Sequence, residues 1–184
     1  MNAAAPVDDT RAAARVRLRP TMSSDIEFVL SLEQDPANLP FITPWERTQH
    51  EAAIRFPDFR HFIVEGGPGL DAVGFVILIG CRSQHQSLEL KRMVVRSKGE
   101  GFGRAALRTV KRVAFDSLGA HRLWLDVKSH NTRAKALYDS EGFVVEGVLR
   151  ESVRTSDGFV SMVVMSMLQD EFAARRSQSL ELVA

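Results

Sequence analysis

The stretch RSKGEGFGRAAL, Arg96 to Leu107, sets three glycines at alternate positions, Gly99, Gly101 and Gly103, with Lys98 and Arg104 beside them. The run before it, SLELKRMVV (Ser87–Val95), alternates as a strand does. The run after it, to about Leu118, has Phe102, Ala106, Val110 and Ala114 at helical spacing. A strand-to-helix junction of this kind suits anion binding. The first N–H groups of a helix have no intrahelical partner, and the aligned peptide dipoles favour negative charge there. Glycine lets the main chain close on an anion and take turns that a Cβ forbids. With cations at the rim, the segment reads as a phosphate cradle.

Two known phosphate motifs can be set beside it. A nucleotide-triphosphate loop needs Gly-Lys-Ser/Thr, but Gly103 is followed by Arg104 and Ala105. The dinucleotide pattern G-x-G-x-x-A is met by Gly101, Gly103 and Ala106, with Asp126 closing the next strand, so a dinucleotide-binding enzyme stays open as an alternative.

The elements that must position this loop follow from the rest of the chain. Val16–Pro20 reads as a short strand. Ser24 and Glu27 have capping-box spacing ahead of a helix to Glu33. Asp35–Trp45 is too proline-rich for regular structure, and a second helix spans Thr48–Phe56. Strands are expected at His61–Glu65, Ala72–Gly80 and Ser87–Val95, with Leu88, Leu90 and Val94 on one side and Glu89, Lys91 and Met93 on the other unless a bulge intervenes. After the glycine segment and its helix come a strand at His121–Val127, a helix at Asn131–Glu141, and two strands, Val144–Glu151 and Phe159–Leu168, joined at Ser156–Gly158. The order predicts one mixed α/β domain over residues 15–170, with a loose leader at 1–14 and a polar tail at 171–184. Ligands in such sheets bind where strands deliver into helices.

Composition narrows the function. With 24 Lys and Arg against 23 Asp and Glu, the net charge of +1 gives no support for binding nucleic acid through bulk charge. No apolar run nears the roughly 18 residues of a membrane span, and the N-terminal stretch lacks a signal-peptide core, so the cytoplasm is expected. The single cysteine, Cys81, rules out an intrachain disulfide, offers no metal cluster and reads as an inert core thiol.

The glycine segment resembles the acyl-CoA signature of the GNAT family of N-acetyltransferases, Gln/Arg-x-x-Gly-x-Gly/Ala, with Lys98 at the first position, Gly101 and Gly103 following. Lysine keeps the charge there but loses arginine's planar fork. A second segment, NTRAKALYDSEGF, is similar to the family's Asn-x-x-Ala-x-x-Leu-Tyr-x-x-x-Gly-Phe through Asn131, Ala134, Leu137, Tyr138, Gly142 and Phe143. The resemblance spans roughly Val16–Leu168, closest in character to ribosomal-protein and small-amine acetyltransferases. It implies a central, mostly antiparallel mixed sheet of about seven strands with helices on both faces. It implies acetyl-CoA as acyl donor, held by Met93, Val94, Val95, Lys98, Gly99, Glu100, Gly101, Phe102, Gly103, Arg104 and Asn131, with no metal. Homodimers are common in the family, and the final two strands or the C-terminal tail could supply a homodimer contact, with the oligomeric state left open.

The chemistry implied is transfer to a primary amine of a small molecule or protein N-terminus. An alkylamine with a pKa near 10 must first lose a proton. Tyr138, the sole tyrosine, corresponds to the family's acid near the CoA sulfur. Glu89, on the strand bordering the acyl site, is the expected base. His61, His85 and His130 are alternative proton carriers. A main-chain N–H of Val94 or Val95 would meet the oxyanion. Phe41, Trp45 and Trp124 are candidates to shape the amine pocket. A non-catalytic acyl-CoA-binding module is the second alternative.

Overall fold

A computed structural model describes residues 16–181; the expected leader lies outside the described residues. Seven strands form one sheet in the order β1-β2-β3-β4-β5-β7-β6. They are β1 (Arg17–Pro20), β2 (Phe59–Gly66), β3 (Asp71–Ile79), β4 (Ser87–Val95), β5 (Arg122–Lys128), β6 (Val144–Thr155) and β7 (Gly158–Leu168). The β4–β5 pair is parallel and the other neighbours are antiparallel. Helices α1 (Ile26–Glu33), α2 (Arg47–Arg55), α3 (Phe102–Arg112), α4 (Thr132–Ser140) and α5 (Gln169–Glu181) complete the domain.

Apolar residues that alternate along the central strands feed two cores. Phe75 and Ile77 of β3 pack with Val29 and Leu32 of α1. Val76 and Leu78, one residue out of phase, pack with Ala106, Leu107 and Val110 of α3 and Leu123 and Leu125 of β5. The sheet is therefore covered on both faces, which explains why β3 reads as a continuous apolar run. The Gln169–Glu181 segment is helical, and its Phe172 stacks on Phe115 with ring centroids 4.8 Å apart.

Two local readings are corrected. Ile77 pairs with Arg92 while Leu78 pairs with Leu90, so Lys91 is an extra residue in β4. This bulge reverses the alternation. Leu88, Leu90 and Met93 face the α3 core, whereas Val94 joins the α1 core; Leu88, Leu90 and Val94 do not share a side. Ser24 does not cap α1: Asp25 occupies its N-cap position without a side-chain bond into the helix, and closes the preceding turn instead. Its Oδ2 accepts from the Met22 N–H at 2.8 Å, and Arg19 grips both of its oxygens at 2.6 and 2.9 Å. The Arg19 hydrogen bond, outweighing the cost of partial burial, holds Asp25 below the usual carboxylate range.

Behind the glycine segment, α3 is locked to the end of α4 by Glu141, only 6% exposed. Its carboxylate accepts from Arg104 at 2.8 Å, Arg108 at 3.0 Å and Lys111 at 2.8 Å. Burial opposes its ionisation, but bonds from Arg108, Lys111 and Arg104 leave it below the ordinary carboxylate range. Replacing it by Gln leaves the buried Lys111 ammonium without a counter-charge. Glu141→Gln is expected to lower unfolding free energy by about 3 kcal/mol in a denaturant titration.

Candidate active site

The site exists because two strands part. β4 and β5 are paired only where Ser87–Glu89 meets Arg122–Trp124. Beyond Glu89 they diverge, and a cavity of about 1240 Å³ opens between them. Its walls are the second half of β4, the end of β5, the glycine loop, one side of α4 and the Phe41–Trp45 segment. The Arg96 N–H donates to Val73 of β3 at 2.7 Å. Since N–H groups alternate edges along a strand, the Val95 N–H points into the opening and that of Val94 is spent on β3.

Most of the expected cofactor residues come together. Met93, Val94, Val95, Lys98, Gly99, Gly101, Gly103, Arg104 and Asn131 line the cavity, as does Tyr138. Gly99 (φ 88°) and Gly101 (φ 81°) are left-handed, and Gly101 is the N-cap of α3. A Cβ on Gly99 would meet no atom within 4 Å. Gly103 borders only Leu137 and Val95, at 3.8 and 3.9 Å. The space over these amides is thus open, and the loop fits a diphosphate. Asn131 caps α4, its Oδ1 accepting from the Ala134 N–H at 3.1 Å.

The flanking cations are engaged elsewhere. Lys98 Nζ donates to Asn38 Oδ1 at 2.6 Å and the Val95 carbonyl at 2.8 Å, and burial lowers its pKa. Arg104 is held by Glu141 and Ser140. Glu100 and Phe102 do not line the cavity; the Phe102 ring lies against Gly66, where a Cβ would come within 2.8 Å of it. Arg133, in the first turn of α4, lines the cavity and is exposed, a cation the sequence reading missed.

Tyr138 is buried, its ring 5.8 Å from Phe143, and burial pushes its hydroxyl up to about 12, with Asp126 adding to the rise. Glu89 does not line the cavity, and its carboxylate accepts from Lys91 Nζ at 3.1 Å. Phe41 and Trp45 line the cavity and Trp124 does not, lying instead under the Arg122 guanidinium at 5.6 Å. His130 sits beside Phe41, with its Nε2 3.0 Å from the Pro40 carbonyl, and His85 is exposed.

A buried polar chain fixes the Phe41–Trp45 wall. Arg92 pairs with Glu33, which is fully buried, and also donates to the Thr43 carbonyl at 2.9 Å. Glu33 accepts from the Trp45 N–H. His50 Nε2 lies 3.4 Å from Glu33, too poorly aligned for a hydrogen bond, while its Nδ1 is 3.1 Å from His61 Nε2. His61 Nδ1 is 2.9 Å from Thr21 Oγ1. Burial, then the neighbouring His50, lowers His61 to about 4. A depressed histidine stabilises the fold fully above its unfolded pKa near 6.5, and that stability is lost as pH falls through the folded value. The melting temperature should drop between pH 6.5 and 4, for a loss on the order of 3 kcal/mol. His61→Gln should flatten that limb in a pH series of thermal melts.

The described chain is similar to proteins of known activity. The profile of the family described as Acetyltransferase (GNAT) domain matches residues 15–144. The chain belongs to the GNAT acetyltransferase family. A spermidine N(1)-acetyltransferase of Vibrio cholerae is 30% identical over 117 residues, covering 63% of this chain and 67% of that protein. The structure of the Vibrio cholerae spermidine N-acetyltransferase in complex with CoA and spermine superposes with a TM-score of 0.79 at 25% identity, over 87% of this chain and 99% of that one. A chimera of the Vibrio cholerae enzyme and hSSAT gives 0.78 at 26% identity, over 86% of this chain and 98% of that one. This GNAT protein is an acetyl-CoA-dependent N-acetyltransferase with the family's sheet. The dinucleotide reading falls with the same finding. The sheet agrees: β4–β5 is its one parallel pair, whereas a dinucleotide fold is built on a mostly parallel sheet.

Proposed function

We propose that the enzyme moves the acetyl group directly from acetyl-CoA to a primary amine in a ternary complex, with Tyr138 as the acid. The observation that carries this is the placement of the sole tyrosine in the cavity opposite Met93–Val95, where the strands part. The amides of Gly99, Gly101 and Gly103 and the cap of α3 would hold the diphosphate, with Arg133 adding charge; the bound donor supplies an activated thioester. The Val95 N–H stabilises the developing oxyanion. Tyr138 stays protonated at neutral pH and releases its proton to the departing sulfur. Cys81, the sole cysteine, does not line the cavity, and burial raises its thiol, which argues against a covalent acetyl-enzyme.

The amine proton is passed through water to Glu89. With Glu33 bound to Arg92, Glu89 and Asp126 are the carboxylates bordering the splay, on the sheet face opposite the α3 core. A panel of amines with acetyl-CoA, read by released thiol, tests the reading; no thiol with any amine defeats it. Glu89→Gln should lower kcat/KM about tenfold at pH 7 and recover toward pH 10, where the amine deprotonates unaided. An unaltered pH profile removes Glu89 from the mechanism. Self-association belongs to the same proposal. Val144, Val145, Val148 and Leu149 of β6 and Phe159 of β7 are exposed on the outer hairpin, an apolar edge suited to a second copy of the chain.

A further inference from the structure

Where β5 ends, the cavity holds two charged groups, neither of which forms an ion pair among the described residues. Asp126 and Lys128 are alternate residues of β5, so their side chains leave the same face, about 7 Å apart at the backbone. Both line the cavity. The Asp126 carboxylate makes no hydrogen bond or ion pair among the described residues. Lys128 is 6% exposed, yet among the described residues its ammonium meets only main-chain oxygens, Pro40 at 3.1 Å and Ile42 at 3.5 Å. The two do not pair with each other. A buried ammonium without a carboxylate is costly to keep, and this one faces open space beside an unused carboxylate.

The other cations nearby are accounted for. Arg92 is neutralised by Glu33, and Lys91 is bonded to Glu89. Burial and the nearby Arg92 also lower the pKa of Lys128, so a ligand anion would restore what the protein withholds.

We propose that the acceptor is a zwitterion, an amine with a carboxylate a few bonds away, held by Asp126 at the ammonium and Lys128 at the carboxylate. This rests on the acetyl-transfer reading above and names its substrate class. A linear polyamine fits the walls poorly. Asp126 is the sole carboxylate among the described lining residues, so a second and third ammonium would find no further carboxylate there and would meet Lys128, which is paired with none. The acceptors written into the names of the similar Vibrio cholerae enzymes are therefore not the ones these walls select. Phe41, Ile42 and Trp45 supply an apolar surface beside the charged pair, suited to an amino-acid side chain.

The test offers the wild-type enzyme the common L-amino acids, the matching amino-acid amides, short peptides with amidated C-termini, and spermidine, with thiol release as readout. At least one free amino acid should exceed its own amide by tenfold or more in kcat/KM, although the amide carries the more readily deprotonated amine. Lys128→Met should erase that preference, raising KM for the acid at least tenfold while the amide changes less than threefold. Lys128→Arg should restore part of it. Calorimetric titration of the preferred amino acid into CoA-saturated enzyme should show the same loss, and Asp126→Asn should weaken acids and amides alike. A preference for spermidine, amides or amidated peptides overturns the proposal while leaving acetyl transfer intact. So does an acid-to-amide ratio unmoved by Lys128→Met. Silence with every amine defeats both.

Discussion

Tyr138→Phe should reduce kcat by two to three orders of magnitude while changing the Kd for CoA less than twofold. The hydroxyl is the one atom removed, and the ring keeps its contact with Phe143 and its place in the core. Loss of a positioned general acid costs roughly 10²–10⁴ in rate, and the lower part of that range applies because water in an open cavity can protonate a thiolate slowly. With the hydroxyl raised to about 12, wild-type kcat should show no descending limb from this group below about pH 11. Steady-state kinetics and a CoA titration on the same preparation separate the two parameters. A tenfold loss of CoA affinity at unchanged kcat would make Tyr138 a packing residue and leave the sulfur's proton donor elsewhere.

The second large effect is expected at the glycine loop. Gly101, with φ 81°, caps α3 in a conformation that β-branched residues avoid. Gly101→Val should raise the Kd for CoA by a hundredfold or more, because the side chain both twists the loop and stands where a phosphate must approach. A control separates twist from obstruction. Gly67, in the turn between β2 and β3, has φ 77°; a Cβ there would meet no atom within 4 Å, and the residue does not line the cavity. Gly67→Val carries a similar backbone cost, on the order of 1–2 kcal/mol, without touching the cavity. Both variants should melt earlier. Only Gly101→Val should lose the rise in melting temperature that acetyl-CoA gives the wild type, and equal retention in both would move the diphosphate away from this loop.

What the sequence disclosed and what it concealed divide along a physical line. The glycine loop, the Asn131 cap and the run of strands and helices depend on neighbours a few residues away, so spacing alone reveals them. The strand order follows from the same pattern once the chain's family is recognised. The bulge at Lys91 left only a faint trace in SLELKRMVV, where strict alternation would set Arg92 beside Leu88 and Leu90 and Met93 beside Glu89; the pairing with β3 is what shows that one residue is surplus. The Glu33–Arg92 pair joins positions 59 apart, and the His61–Thr21 contact joins positions 40 apart. No periodicity encodes such partners. Lys128 was hidden differently. It closes HRLWLDVK as an ordinary polar strand end, and its burial arises because the Pro40–Ile42 carbonyls fold over it. The charged alternation Asp126, Lys128 directly after the apolar run Leu123–Leu125 was the available hint.

The parting of β4 from β5 has a consequence for the protein at rest. Past Glu89 the sheet is missing its rungs, so the Met93 and Val95 amides on that side have no strand to lean on. They should exchange with deuterated solvent far faster than their neighbours bonded to β3, making a soft seam between two otherwise firm halves. Filling the seam closes it. At a hundredfold excess over its Kd, the acyl donor adds about 2.7 kcal/mol to the folded state by mass action alone, so the enzyme in use is a stiffer object than the enzyme in waiting.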